Sequence, residues 1–213
     1  MKQIIIVFLA MVLGGCISIP KSPTPRFYML QAANERQVSN KTNITTDVII
    51  GVGPVNIPEY LSRPQIVTRD REGMLTFAQF DRWGESLDLG MARVIEEDLT
   101  AMLPGAKMAA YPWNISIPIQ YQVVVEIVQL DSELDKDLFV VAQWLVIDVL
   151  EAKTLIMKRS EFRQPIMPQN YAGLAGTLNT ICASLSGDIA EALAALETAP
   201  KTKKEPPVIP RYN

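Results

Sequence analysis

The sequence predicts a single α/β domain in which a mixed β-sheet of five or more strands packs against two main helices. Three observations support this prediction: two segments have apolar residues at helical spacing, several short segments are rich in β-branched residues, and the two kinds of segment alternate along the chain. The chain has 213 residues, of which 48% are hydrophobic, so one domain can bury a sizeable core.

Four strands and one helix are predicted in the first half of the chain. The strands cover residues 26–31, 47–55, 65–69 and 74–79. Gly73 suits the turn between the last two strands, and the glycines of the second predict a bulge or a close approach there. A helix is expected over 85–103, where apolar residues recur every three or four positions until Pro104, with Ser86 or Asp81 as its cap.

Four strands and a long helix are predicted in the second half. The strands cover residues 106–113, 120–130, 138–150 and 154–162, with a hairpin loop at 131–137. The segment 138–150 is apolar on both of its faces, so we expect it at the centre of the sheet with cover above and below. The helix occupies residues 169–196, where apolar residues again recur at helical spacing, and Pro200 ends it.

Residues 1–15 are typical of a secretory signal peptide. Lys2 precedes an almost wholly apolar stretch over 4–13, which is shorter than the ~20 residues that span a bilayer. The stretch ends in Leu-Gly-Gly-Cys, which resembles the bacterial lipobox, in which the cysteine becomes the first mature residue and carries lipid. We therefore expect diacylglycerol and an N-acyl chain such as palmitate on Cys16, and no other cofactor. A short membrane anchor or a buried strand is the alternative.

The residues after Cys16 favour the outer membrane over the inner one. Ile17 and Ser18 follow the cysteine, whereas in bacteria an Asp there usually marks retention in the inner membrane. We expect residues 16–25 to form a lipidated, proline-rich tether, with the domain at 26–199 facing the periplasm. A disordered tail rich in proline and lysine is expected at 200–213.

Composition disfavours enzymatic and nucleic-acid-binding functions. The chain has 0 histidines, which removes the Ser-His-Asp triad and most transition-metal sites. Its net charge of −3 offers no basic surplus for phosphate-rich partners. Cys182 is expected to be a small core residue, and the acidic residues at 96–98 and 131–137 to be solvated. The sequence therefore predicts no enzyme, no metal site and no nucleic-acid partner.

Two loop segments, residues 81–83 and 58–64, combine arginine with aromatic side chains. Both residue types are enriched among the anchors of protein interfaces, although a structural role is the alternative for each segment. The candidate partner-binding residues are Tyr60, Leu61, Arg63, Pro64, Arg82 and Trp83.

These segments resemble the ABC-type transport auxiliary lipoproteins, the family that includes the intermembrane transport lipoprotein PqiC. The likeness lies in FYML at 27–30, in IGVGPVNIPEYLSRPQIVTR at 50–69 and in FDRWGESL at 80–87, and it covers most of residues 26–196. The longest of these stretches is the most specific. Gly84 departs from the pattern, since alanine is usual there.

The resemblance implies a non-enzymatic lipoprotein of the outer membrane. Its partner would be an MCE-domain protein (PqiB-like) anchored in the inner membrane, whose stacked rings form a hydrophobic tunnel for lipid. The lipoprotein would dock the outer end of that tunnel and need no cofactor beyond its own lipid. A homo-oligomeric ring would match the partner's symmetry. The alternative is a lipid-binding periplasmic carrier with its own apolar pocket of about 300–1,000 Å³; a periplasmic hydrolase is less favoured.

Overall fold

The computed structural model describes residues 23–33 and 48–198. The signal peptide, Cys16, most of the tether, the polar segment between the first two strands and the C-terminal tail lie outside the described residues. The predictions for those parts of the chain therefore stay predictions.

The described residues form eight strands and two α-helices. The strands are β1 (Arg26–Tyr28), β2 (Ile49–Asn56), β3 (Gln65–Arg69), β4 (Leu75–Trp83), β5 (Lys107–Ala110), β6 (Tyr121–Ser132), β7 (Asp137–Asp148) and β8 (Lys153–Pro165). The helices are α1 (Leu87–Met102) and α2 (Tyr171–Thr198), and a short 3-10 turn covers Glu59–Leu61. Every predicted strand and helix is present, and the predicted α/β fold class is confirmed.

The strands form two sheets rather than one. The larger is a mixed sheet in the order β5-β2-β6-β7-β8, in which β2 is parallel to both of its neighbours and β6, β7 and β8 form an antiparallel meander. The smaller sheet has the order β1-β4-β3, and β1 runs parallel to β4. This second sheet was not predicted, because the pairing of Arg26 with Asp81 joins residues far apart in the sequence.

Both helices cover the same face of the five-stranded sheet, and they also pack against each other. The side chains of the sheet that point towards them are wholly buried, including Val52, Val123 and Trp144. The Trp144 indole Nε1 donates a hydrogen bond of 3.1 Å to the Ser160 hydroxyl. Since burying one large apolar side chain contributes about 1.5–3 kcal/mol, this interface is the main source of stability.

Neither helix covers the opposite face of the five-stranded sheet, here called the open face, which corrects one prediction. Strand β7 was expected at the centre of the sheet with cover on both sides, but it lies second from the edge, and most of its side chains on the face away from the helices are only half-buried. On the open face, Val124, Leu145 and Met157 form a row across three strands. Leu145 is half-buried and Met157 is 62% exposed. The apolar residues on the second face of β7 therefore form a partly exposed apolar surface and are not covered by a second layer of helices.

Candidate docking cleft and its neighbouring N-terminal segment

The residues just before β3 and those from the end of β4 to the start of α1 form the two walls of a cleft of about 410 Å³. The walls are connected by a hydrogen bond of 2.8 Å from the Trp83 N–H to the Pro64 carbonyl. The residues that line the cleft are Ser62, Arg63, Pro64, Trp83, Gly84, Glu85 and Ser86. Two segments that the sequence singled out separately therefore meet in one cavity, and three of the six candidate residues line it.

Three apolar and aromatic candidates, including Trp83 of the lining, hold the cleft in place. Leu61 is only 2% exposed and Trp83 only 7%, so both pack mainly into the core. Tyr60 is half-buried, and its hydroxyl donates a hydrogen bond of 3.3 Å to the Leu130 carbonyl. The Arg69 guanidinium carbon lies 6.0 Å from the centre of the Tyr60 ring. These contacts give the three residues a structural role, and partner binding by them stays a prediction.

The two candidate arginines differ in their freedom to meet a partner. Arg63 is exposed and stacks on Phe77, with its guanidinium carbon 4.7 Å from the centre of the ring. No carboxylate of the described residues lies within 4.0 Å of the Arg63 guanidinium. Arg82 is half-buried, and its buried Nε finds no hydrogen-bond partner in the part of the chain that the structure describes. Arg63 is therefore the accessible positive charge of the cleft.

The acidic residue of the cleft is already paired. Glu85 accepts a hydrogen bond of 2.7 Å from Arg93 Nη2, and Arg93 also binds Glu97 at 3.1 Å and the Leu30 carbonyl at 2.8 Å. Glu85 precedes α1, and Ser86 occupies the N-cap position. The prediction that Asp81 could cap this helix is wrong, because Asp81 lies in β4 and binds Arg26.

Strand β1 lies directly beside the cleft and is held there by Asp81. The Gly84 N–H donates a hydrogen bond of 2.7 Å to the Tyr28 carbonyl. The buried Asp81 carboxylate accepts hydrogen bonds from Arg26 Nε at 2.8 Å, Arg26 Nη2 at 2.9 Å and the Tyr28 hydroxyl at 2.8 Å. Burial acts to raise the pKa of Asp81, but the Arg26 and Tyr28 hydrogen bonds and the Arg26 charge hold that pKa below its ordinary value.

A second buried carboxylate fixes the end of the same segment. Asp98 in α1 is fully buried and accepts a hydrogen bond of 2.8 Å from the Ala33 N–H, with the Ser186 hydroxyl of α2 at 3.5 Å. Burial raises the pKa of Asp98 above its ordinary value, because its partners are neutral. The sequence did not predict either carboxylate contact, and the expectation that the acidic residues at 96–98 are solvated is wrong for Asp98. The only local sign was an acidic residue in an otherwise apolar element, which does not identify the partner.

The described residues contain neither a metal-binding group nor a membrane-spanning helix, and the cysteine among them is buried. In residues 23–33 and 48–198, no group of three or more His, Cys, Asp or Glu side chains could hold a metal ion. No helix within those ranges is both long and apolar enough to span a bilayer. Cys182 is fully buried, as predicted, and burial raises the pKa of its thiol to about 12. The thiol is therefore not activated as a nucleophile.

Comparison with known families shows to which family this chain belongs. The family model of the ABC-type transport auxiliary lipoprotein component matches residues 28–190. The chain belongs to this family. The family is described by a role in transport and by its lipoprotein nature, not by an enzymatic activity. The resemblance inferred from the sequence is thereby confirmed, and the matched range contains both walls of the cleft.

Solved structures share the fold of this auxiliary lipoprotein. An uncharacterized protein is 18% identical, with a TM-score of 0.65, and the match covers 80% of this chain and 99% of the other. The protein XCC0632 from Xanthomonas campestris is 7% identical, with a TM-score of 0.56, and the match covers 81% of this chain and 94% of the other. No curated protein matches the chain. At these identities the likeness concerns the fold alone.

Proposed function

We propose that this chain is a non-enzymatic docking lipoprotein of an MCE-type intermembrane lipid transport system. Lipid on Cys16 holds it in the outer membrane, and its domain faces the periplasm. Its partner is the MCE-domain protein (PqiB-like) anchored in the inner membrane, and copies of the chain form a ring that matches the partner's symmetry. The observation that carries this proposal is the cleft in which residues 62–64 meet residues 83–86.

The position of the cleft supports a docking role close to the anchor. Strand β1 begins at Arg26, ten residues after Cys16, so the tether extends at most about 34 Å. Tyr28 at the end of that strand is hydrogen-bonded to Gly84 of the cleft. A partner bound in the cleft is therefore connected to the membrane through a short strand that Asp81 holds in place.

The chemistry of the cleft favours a protein segment as its ligand. Arg63 contributes an accessible positive charge, Pro64 and Trp83 an apolar surface, and Ser62 and Ser86 two hydroxyls. Such a mixture of charged, polar and apolar groups is typical of protein interfaces. It suits an acidic or polar segment of the partner that also carries one apolar side chain.

The alternative function is a periplasmic carrier that binds lipid in its own pocket. The cleft volume of about 410 Å³ lies within the usual range for small-molecule sites. Its lining opposes this alternative, because two serines, Arg63 and Glu85 contribute much of the wall and an acyl chain offers them no hydrogen bonds. Lipid bound at one molecule per chain after purification of a Cys16→Ala variant would favour the carrier instead.

Membrane fractionation tests the anchor. Cys16→Ala removes the thiol that receives diacylglycerol, so we expect the protein to leave the membrane fraction. Mass spectrometry of the wild-type N-terminus should show a chain that begins at Cys16 and carries acyl groups. Unchanged membrane association of the variant, or an unacylated wild-type N-terminus, would contradict the lipid anchor.

Co-purification with the MCE partner tests the docking cleft. Arg63→Glu reverses the accessible charge of the cleft, and we expect it to lower partner recovery several-fold with a melting temperature near that of the wild type. Lys153→Glu is the matched control, because Lys153 is exposed at the start of β8, outside the cleft. Arg82→Glu should also lower the melting temperature, since Arg82 Nε is buried. Equal recovery with Arg63→Glu and Lys153→Glu would contradict docking in the cleft.

A further inference from the structure

The connection between β5 and β6, residues 111–119, presents apolar side chains to solvent. Ile115 is 100% exposed, Tyr111 is 44% exposed and Ile117 is 36% exposed. No charged residue occurs anywhere from Met108 to Val125. Contiguous exposed apolar surface of this kind marks a site of contact with a membrane or with another protein.

The loop is held rigidly against the open face of the five-stranded sheet. The rings of Tyr111 and Trp113 pack edge to face, with their centres 5.5 Å apart. A Cβ added to Gly51 would lie 2.9 Å from the Trp113 ring, and one added to Gly53 would lie 2.6 Å from the Tyr111 Cβ. The two glycines of β2, where a close approach was predicted, therefore receive these aromatic side chains. A rigid loop loses little conformational entropy when it binds.

Four of the seven backbone N–H groups at 111–119 donate hydrogen bonds within the chain. The Tyr111 N–H donates to the Val52 carbonyl at 3.0 Å, and the Ile117 N–H donates to the Asn114 carbonyl at 3.0 Å. The Ser116 N–H and hydroxyl both donate to the Asn114 side-chain oxygen at 2.9 Å, and the Ile119 N–H donates to the Ile117 carbonyl at 2.9 Å. The two prolines of the loop have no N–H to satisfy. Internal satisfaction of the backbone is what a hydrocarbon environment requires.

Part of the open face beside the loop is also apolar, and Glu126, Gln143 and Arg159 lie farther along the same face. The open face carries the row of Val124, Leu145 and Met157, and Val128 on the neighbouring part of β6 is 44% exposed. Tyrosine and tryptophan are the residues that favour the boundary between lipid headgroups and hydrocarbon. Trp113 and Tyr111 lie against the sheet, whereas Ile115 is fully exposed. The two aromatic rings would therefore lie at this boundary when Ile115 enters the hydrocarbon.

We propose that the loop at 111–119 inserts Ile115 into the phospholipid bilayer to which the chain is anchored. This inference rests on the proposed lipid anchor at Cys16, which brings a bilayer within reach of the domain. The tether extends at most about 34 Å, and the 28 residues of α2 give the domain a length of about 42 Å. A tether of this length lets the domain lie with its long axis along the membrane. In that orientation the loop can reach the bilayer.

Quenching of Trp113 by brominated lipid tests this insertion. The acylated full-length chain is reconstituted into phosphatidylcholine vesicles with brominated acyl chains, and its fluorescence is compared with that in unbrominated vesicles. Trp83 and Trp144 are buried in the protein, and Trp113→Phe measures their contribution. We expect bromination to quench the Trp113 fluorescence. Ile115→Asp should return the quenching to the Trp113→Phe level, because Asp does not enter hydrocarbon.

Met167→Asp is the matched control, since Met167 is 73% exposed and lies between β8 and α2, outside the loop. It should leave the quenching of Trp113 unchanged. Both substitutions are at exposed positions, so circular dichroism should show wild-type folding for each.

The outcomes separate this inference from the lipid anchor itself. If the acylated protein floats with the vesicles but bromination does not quench Trp113, or if Ile115→Asp is quenched like the wild type, insertion is wrong while the anchor stands. If the native chain proves unacylated, the anchor is wrong, and the same measurement with added vesicles still decides insertion: Ile115→Asp should then weaken vesicle binding about tenfold or more. Concentration-dependent protection of the loop in lipid-free solution, without quenching in vesicles, would identify a protein contact instead.

Discussion

Asp81 and Asp98 are two buried aspartates that hold the same N-terminal segment, yet their pKa values are shifted in opposite directions. Asp81 is 4% exposed and meets a cation, Arg26, together with the Tyr28 hydroxyl. Asp98 is fully buried and meets only neutral donors, the N–H of Ala33 and the Ser186 hydroxyl. The pKa of Asp81 is lowered and that of Asp98 is raised.

The difference shows that the partner, not the degree of burial, decides whether a carboxylate keeps its charge. Burial disfavours the charged form at both sites, but only at Asp81 does a cation outweigh it. The ionic contact lies at the start of the segment, where the tether enters the domain. The neutral contact lies at Ala33, where the segment crosses between α1 and α2.

Replacement of Asp81 should have the largest effect of the substitutions that test this comparison. Asp81→Ala removes the carboxylate that binds both Arg26 and Tyr28, and we expect the free energy of unfolding at pH 7 to fall by about 1–3 kcal/mol. Urea unfolding of the full chain measures the change. Asp135→Ala, at an exposed aspartate, is the matched control and should stay near the wild type. An equal loss in both variants would mean that the Asp81 contacts contribute nothing specific.

The pH dependence of stability should have opposite signs at the two sites. The stabilisation from Asp81 is present above the unfolded pKa of about 3.9 and is lost as the pH falls through its lower folded value. The stabilisation from Asp98 is present below its unfolded pKa and is lost as the pH rises through its higher folded value.

Urea unfolding between pH 3 and 8 in the wild type, Asp81→Asn and Asp98→Asn measures these slopes. The difference between the wild type and Asp81→Asn should shrink towards low pH. The advantage of Asp98→Asn over the wild type should grow towards high pH. Slopes of the same sign for the two variants would contradict the opposite pKa directions.

Asp98→Asn should have a smaller effect, and a stabilising one at pH 8. The amide oxygen of Asn can still accept from the Ala33 N–H, and its NH₂ can donate to the Ser186 hydroxyl, while no charge is buried. We expect the free energy of unfolding to rise by up to about 1 kcal/mol. Asp98→Ala, which lacks the acceptor, should instead lower it. Equal destabilisation by Asn and Ala would show that Asp98 is charged in the folded protein.

Tyr28→Phe should also have a smaller effect than Asp81→Ala. It removes one of the hydrogen bonds to Asp81 and keeps the aromatic ring, so we expect a loss of about 0.5–1.5 kcal/mol in urea unfolding at pH 7. The pKa of Asp81 should rise, since one of the groups that lower it is gone. A loss as large as that of Asp81→Ala would mean that Arg26 contributes little to holding β1.

The elements of the fold were predictable where the periodicity was strong and local. Strands β6, β7 and β8 and both helices occur within a few residues of their predicted bounds. Strand β4 continues to Trp83, beyond its predicted end at residue 79, because its last residues gain their partners from β1, which is distant in sequence. For the same reason the residues at 81–83, expected in a loop, lie in a strand, and Trp83 at the end of that strand lines the cleft.

The candidate site was predictable only in part. Residue types at 58–64 and 81–83 indicated an interface, but they did not show that the two segments share one cleft or that Leu61 and Trp83 are buried beneath it. Ile115 was missed, although the uncharged run from Met108 to Val125 was visible in the sequence. Full exposure of one isoleucine in such a run is a property of the loop's conformation.

The sequence by itself determined the fold class, the order of strands and helices and membership of the lipoprotein family, because each of these depends on short-range periodicity and on local motifs. The tertiary structure decided which strands pair, which face of the larger sheet stays open and which buried aspartate keeps its charge. Those properties depend on contacts between segments far apart in the chain, such as Arg26 with Asp81 and Ala33 with Asp98. Only tertiary packing brings such residues together, so no local sequence pattern predicts these contacts or their energies.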